Sequence, residues 1–186
     1  MTSAASVGGD ERLRLFLALQ LPDDVLDDLA RWQAGALPAG LRVVPRDHLH
    51  VTLAFLGHRP AAELPAIVDA LRAAASPERD YRLGVDRYRE TRSVAMVVLA
   101  DVGGGATALA DDVQQRLEAL GVYRREGRPW LPHVTVARFR DRPRLRLAPP
   151  IMRTGVLIPS DAAAYLSRPG PKGARYEVLT TVALGG

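Results

Sequence analysis

The 186-residue sequence predicts one domain of mixed strands and helices, built from two similar halves that face each other across a single cleft. Three observations predict it. Apolar runs of strand length alternate with amphipathic runs of helix length along nearly the whole chain. The tripeptide His-Val-Thr occurs at His50 and again at His133, each time heading an apolar run, in a chain with four histidines and eight threonines. Composition alone predicts roughly 0.17 His-x-Thr triplets in such a chain, so two are not an accident. Finally, each copy closes a strand, helix, loop and strand course of nearly equal length, beginning near Leu15 and near Val97. The halves are expected at about 12–88 and 93–183 of one domain spanning 1–186. A lead over 1–11, "MTSAASVGGDE", is polar and small rather than basic then apolar, and predicts disorder rather than a signal peptide.

Each element has a local reason. "LRLFLALQL" (13–21) is an apolar strand ended by Pro22. Pro22, Asp23 and Asp24 open a helix, the carboxylates facing the positive end of its dipole, and Val25, Leu26, Leu29 and Trp32 carry it to about Gln33. "AGALPAG" is a loop and "LRVV" a short strand. Pro45-Arg46-Asp47 turns the chain into the strand of His50, and Gly57-His58 turns it out again, with His58 in solvent. "RPAAELPAIVDALRAAA" predicts a helix ending near Ser76-Pro77. "YRLGVDRY" alternates as a strand, "RETRS" is an exposed basic turn, and "VAMVVLADV" is a buried strand. "GGGAT" (103–107) has no lysine after it, so it is a flexible connection rather than a phosphate loop. A helix over 107–120 is stopped by Gly121. "VYRREGRPWLP" is a loop leading into the His133 strand. Strands at 151–158, 163–168 and 175–184 complete the chain, the last two joined by the turn "RPGPKGA".

Composition limits the function classes. With 47% hydrophobic and 25% charged residues the chain is an ordinary globular protein. No apolar stretch approaches the roughly 20 residues of a membrane span. The absence of cysteine excludes disulfides, thiolate metal sites and a cysteine nucleophile. A cytoplasmic monomer is the expectation. The net charge of +4 comes almost wholly from arginine. Eight arginines between Arg124 and Arg146 surround the second His-Val-Thr, a cluster suited to a phosphate-bearing ligand such as a nucleotide or an RNA end.

The period of two in a strand gives His-x-Thr its chemical content. His50 and Thr52 share one face, while Val51, Leu53 and Phe55 are expected on the other, packed; His133 and Thr135 repeat this opposite Val134 and Val136. Two imidazoles opposed across a bound group can accept one proton and supply another near neutral pH. Hydroxyls and guanidinium groups beside them would stabilise the oxygens of a pentacoordinate phosphorus. Such a set performs phosphodiester hydrolysis or transfer without a metal.

The paired "HVTL" and "HVTV" resemble the two signature motifs of the 2H phosphoesterase superfamily, and the wider pattern is similar to its RNA 2',3'-cyclic phosphodiesterases, also called 2'-5' RNA ligases. The segments "LRLFLALQLPDDV", "LRVVPRDHLHVTLAFLG", "RPWLPHVTVARF" and "AYLSRPGPKGARYEVL" extend the resemblance over nearly the whole chain. It implies an α+β, bilobed fold, with two pseudo-symmetric antiparallel-sheet lobes and outer helices around a central cleft. It also implies opening of RNA or nucleotide 2',3'-cyclic phosphate ends, tRNA fragments among them, to 2'-phosphomonoesters. A reversible 2'-5' ligation would accompany it, with no cofactor. His50 would then be the proton donor, His133 the proton acceptor, and Thr52, Thr135 and Arg138 the phosphate-binding residues. A regular strand would point Arg138 away from His133, so its role requires a twist or bulge. The chain departs from the family at Val43, where a tryptophan often follows the arginine, which removes an aromatic platform for a base.

Trp130, Tyr88 and Arg89 are further candidates for substrate contact. Two rival functions stand beside the paired histidines. His48, His50 and His133 could ligate a metal in a metal-dependent phosphohydrolase, or the cleft could bind RNA ends without turnover.

Overall fold

The computed structural model describes residues 11–171 and 173–184. All but Glu11 of the expected lead over 1–11 lies outside them, as does Lys172. Strands β1 (Arg12–Leu19), β2 (Arg42–Val43), β3 (Val51–Pro60), β4 (Leu83–Glu90), β5 (Val94–Asp101), β6 (His133–Arg138), β7 (Asp161–Arg168) and β8 (Arg175–Ala183) form one eight-stranded sheet in the order β4-β5-β6-β3-β1-β7-β8. Strand β2 pairs with β6 off that path, and every pairing described is antiparallel. Helices α1 (Asp23–Ala36), α2 (Leu64–Ala74) and α3 (Gly105–Ala119) cover one face of this curled α+β sheet.

The order has a centre. Antiparallel partners β5 and β6 on one side answer β1 and β3 on the other, each pair connected through a helix. Each lobe also takes strands from the other half of the chain: β4 flanks β5, while β7 and β8 flank β1. The lobes join where β3 meets β6, through the single pair Val51↔Val134, the middle residues of the two His-Val-Thr copies.

Alternation in β1 fixes which face is which. Leu13, Leu15, Leu17 and Leu19 enter the core with Val25 and Leu29 of α1, Ile67 and Leu71 of α2, and Leu109, Val113 and Leu117 of α3. Phe16 and Ala18 lie on the opposite face with Ala163 and Tyr165. Slipping β1 by one residue would expose four leucines, at about 2 kcal/mol each, so the core fixes the face that carries the site.

Several local expectations change. Helix α1 runs past Gln33 to Ala36, because Gly35 is tolerated and Pro38 sets the stop. Strand β3 continues through Gly57 and His58 rather than turning there: Gly57, at φ 68°, takes up an irregularity and still pairs with Leu15. His58 is exposed, as expected. Residues 151–158 form no strand apart from the bridge Leu157↔Leu83, and Ile151 is 91% exposed. The prolines at 149 and 150 withhold the backbone donors an entering strand needs. "GGGAT" is packed rather than loose. A Cβ on Gly103 or Gly105 would overlap Asp80, and Asp101 accepts the N–H groups of Gly104 and Thr107 at the head of α3. In "RETRS", Glu90 is buried instead of exposed.

Candidate active site

Register places both histidines on the face away from the helices. Thr52 pairs with Ala18, and Val51 with core-facing Leu19, so His50 and Thr52 turn to the open side. In the other lobe His133 pairs with Val98 and Thr135 with Met96, while Val97 and Val134 enter the core.

The imidazoles are held alike. His50 Nδ1 lies 2.7 Å from the His48 carbonyl and His133 Nδ1 lies 2.8 Å from the Leu131 carbonyl, each two residues upstream. A carbonyl only accepts, so Nδ1 carries the proton and Nε2 remains for chemistry. Thr52 Oγ1 sits 3.1 Å from His50 Nε2 and donates to it when the ring is neutral. No corresponding bond forms between Thr135 and His133. Around His50 pack Phe16, at 4.9 Å between centroids, and the edge-on ring of Tyr176, at 5.5 Å.

Burial among these rings pushes the His50 pKa down to about 4; the bond to His48 opposes this, and the charges of His133, His48 and Arg138 reinforce it. Between pH 6.5 and 4 the unfolded chain therefore binds a proton that the folded chain refuses. Stability should fall as pH falls through that window, by on the order of 3 kcal/mol from this group. Urea unfolding at pH 7, 6, 5 and 4 checks it: His50→Asn should flatten the slope relative to the unsubstituted chain, and equal slopes would exclude the linkage.

Two hollows flank the pair, of about 600 Å³ on the His50 side and about 580 Å³ on the His133 side, and Thr52 and Phe55 line both. Trp130 and Arg89 line the His133 side, and the Trp130 Nε1 donates to the Thr52 carbonyl at 2.9 Å. Tyr88 is not brought to the cleft. It lies one residue out of step with Arg89, packs near Trp32 and donates its hydroxyl to Glu90. Arg138 does reach the His50 side, by the bulge its role required: Met96 pairs with Thr135 and Ala95 with Ala137, leaving Val136 unpaired by register. Strand β3 has the same device. Ala18 pairs with Thr52 and Leu17 with Ala54, so Leu53 and Ala54 both face the core and Phe55 turns outward, 49% exposed. The expectation that Phe55 packs in the core is thus overturned.

The arginine cluster at 124–146 also disperses. Arg125 pairs with Asp111 and Arg142 with Glu90, and only Arg128 and Arg138 of the eight reach the two hollows. Beside His50, Arg138 is joined by three arginines from outside the cluster: Arg14, Arg42 and Arg175. Among the described residues no three histidine or carboxylate side chains converge as they would around a metal ion, which overturns the His48, His50 and His133 ligand set.

The sequence profile of the 2'-5' RNA ligase superfamily matches residues 21–157. The chain belongs to the 2'-5' RNA ligase superfamily. It is similar to an RNA 2',3'-cyclic phosphodiesterase of Thermus thermophilus, 32% identical over 184 residues, covering 94% of this chain and 91% of that one. The RNA 2',3'-cyclic phosphodiesterase of Escherichia coli is 31% identical over 133 residues, covering 69% and 73% of the two. The fold is also that of Escherichia coli LigT complexed with 3'-AMP, with a TM-score of 0.80 at 24% identity, over 95% of this chain and 100% of that one. Among the described residues of this 2'-5' RNA ligase superfamily member, no helix is long and apolar enough to cross a membrane.

For this member of the superfamily the sequence did contain signals for what motif reading missed. Arg14 is a lone cation inside the apolar run of β1, on the same face as Phe16. Tyr176 begins the alternation of the last strand. Phe55 had no such signal, because only the bulge at Leu53 reverses its direction.

Proposed function

We propose that this protein opens 2',3'-cyclic phosphates at RNA or nucleotide ends to 2'-phosphomonoesters, using His50 and His133 as the acid and base and no metal. The observation that carries the proposal is the matched pair of imidazoles: each is fixed through Nδ1 by its own backbone, and each leaves Nε2 to the cleft, on strands joined at Val51 and Val134. The named activity of the Thermus thermophilus and Escherichia coli relatives supports it.

In the proposed reaction His133 Nε2 removes a proton from water as its oxygen attacks phosphorus in line with O3'. The P–O3' bond breaks and His50 Nε2 gives its proton to O3'. His50 ends neutral, His133 ends protonated, and solvent exchange restores both. Thr52, Thr135 and the guanidinium of Arg138 hold the non-bridging oxygens, where charge accumulates. Burial leaves His50 neutral in the free site, so the donor role needs the substrate's anion, whose charge favours the imidazolium. Phosphate binding and proton uptake at His50 are then one event. The Phe55 ring supplies aromatic surface in place of the tryptophan absent at Val43.

A nucleoside 2',3'-cyclic phosphate incubated with and without EDTA tests the proposal. The expected product is the 2'-phosphate at equal rates in both. Cleavage abolished by EDTA would refute the metal-free mechanism, tight binding without product would assign a binding module, and a 3'-phosphate would reverse which ester oxygen His50 protonates.

A further inference from the structure

Two buried glutamines stand in equivalent places in the two halves, and the reaction as described uses neither. Gln33 lies on α1, in the course that leads to His50; Gln114 lies on α3, in the course that leads to His133. Both occupy the core-facing stripe of their helix, at 4% and 8% exposure, among residues that are apolar apart from Asp28 of α1. A buried amide without partners is costly, so the bonds of each identify its task.

The bonds cross between halves. Gln114 Nε2 donates to the Leu53 carbonyl at 2.8 Å, and Gln33 Nε2 donates to the Val136 carbonyl at 2.8 Å. Leu53 and Val136 are the third residues after His50 and His133, and each is the residue skipped by strand register in its bulge. A bulge interrupts the ladder and leaves its extra residue's polar groups to other partners. The Val136 carbonyl also accepts the Val44 N–H at 2.9 Å, and Gln33 joins that junction through a further bond of 3.0 Å to the Val44 carbonyl. Each bulge reverses the alternation of its strand after His-Val-Thr. Without it Arg138 and Phe55 would turn into the core and Ala137 and Ala54 toward the cleft.

We propose that Gln33 and Gln114 are reciprocal positioning residues: each helix of one half pins the bulge behind the other half's histidine, Gln33 aiming Arg138 at the phosphate and Gln114 aiming Phe55 at the nucleoside. The assignment of ligands to Arg138 and Phe55 rests on the proposed function, whereas the crossed bonds stand without it. The bulges alone would allow these directions; the amide bonds select them over a regular strand, in which the carbonyl returns to the ladder. The site is then assembled only when both halves have docked, because neither half contains the donor for its own bulge.

Phosphate affinity and nucleotide affinity separate this from a general loss of packing. Inorganic phosphate and 2'-AMP are titrated by calorimetry into the full chain and into Gln33→Met, Gln114→Met, Arg138→Ala, Phe55→Ala and the doubles Gln33→Met/Arg138→Ala and Gln114→Met/Phe55→Ala. Gln33→Met should weaken inorganic phosphate about tenfold, the scale of a misdirected charge-assisted bond. In the Arg138→Ala background it should add almost nothing, since both changes remove one interaction. Gln114→Met should leave inorganic phosphate unchanged and weaken only 2'-AMP, and Phe55→Ala should absorb that effect. Additive losses in both cycles, or equal weakening of both ligands by each glutamine variant, would overturn the proposal. If a methionine variant does not fold, asparagine at the same position keeps the amide and withdraws its donor by one methylene from the carbonyl, and the same comparison applies. Turnover of the unsubstituted chain reports separately on the proposed function: should it be absent, the phosphate and nucleotide cycles still decide the roles of the glutamines.

Discussion

Replacing either His50 or His133 with alanine is expected to lower turnover of a 2',3'-cyclic phosphate by a factor on the order of 10² to 10⁴, the range a positioned acid or base supplies. The double variant should be scarcely slower than the worse single one, because two groups that move protons in one transition state act as a unit. The arrangement argues for this more strongly than the motif does. Each ring already spends Nδ1 on its own backbone, which leaves Nε2 to move the proton, with the Thr52 hydroxyl beside that of His50. Steady-state kinetics on the three variants, with circular dichroism to verify folding, provides the check. His50→Asn serves as the conservative control, since His50 also packs on Phe16 and Tyr176. A variant that retains near-normal kcat would remove its histidine from the chemistry. The pH profile of kcat should be bell-shaped, with the acidic limb reporting the base in the bound state.

What was legible in the sequence follows from which forces act locally. The period-two pattern of "HVTLAFLG" and "HVTVARF" places a histidine and a threonine on one face of each strand, because Val51 and Val134 must reach the core. The repeated course before each histidine anticipates the answering strands around the β3–β6 joint. Three kinds of information were not local. A bulge depends on what the partner strand and a distant helix offer, so the direction of Phe55 could not be read from its own segment. The assignment of strands to lobes depends on sheet order: β7 lies beside β1, far away in sequence, and brings β8 with it, while β4 joins the other lobe as the hairpin partner of β5. The arginines near the second motif formed a cluster along the chain, yet Asp111 and Glu90 draw Arg125 and Arg142 elsewhere. Sequence proximity concentrated charge there, but tertiary pairing decided which cations reach the cleft. Gln33 and Gln114 form an intermediate case: a polar residue at the core-facing period of a helix is visible in sequence, although its partner is not.

The second large effect expected is on stability. Glu90→Ala should cost about 2 to 3 kcal/mol of folding free energy, the consequence of removing one buried acceptor from four part-buried donors at once. The Glu90 side chain is 1% exposed. One carboxylate oxygen accepts the Tyr88 hydroxyl at 2.9 Å and the Leu145 N–H at 2.7 Å, and the other accepts the Arg144 N–H at 3.0 Å and Arg142 Nε at 3.1 Å. Burial pushes this carboxyl up, but the bonds from Tyr88, Leu145, Arg142 and Arg144 outweigh it and hold the pKa below the ordinary value. The contribution is therefore complete above the unfolded-state pKa near 4.5 and is lost as pH falls through the lower folded value. Arg144 adds a second reason for the size of the effect. It has φ 57°, a left-handed conformation that costs a residue with a Cβ roughly 1 kcal/mol, and the bond to Glu90 holds it there. Urea unfolding at pH 7 is the measurement, and a loss below 1 kcal/mol would show that water replaces the carboxylate without penalty. Arg142, Arg144 and Leu145 follow the strand of His133, and Glu90 ends the strand of Arg89, so the carboxylate fastens the segment leaving β6 to the edge of its own lobe. Unfolding should be easier in Glu90→Ala while kcat of the folded fraction stays within a few-fold, because the bonds that orient both imidazoles lie on the other side of β5 and do not pass through Glu90.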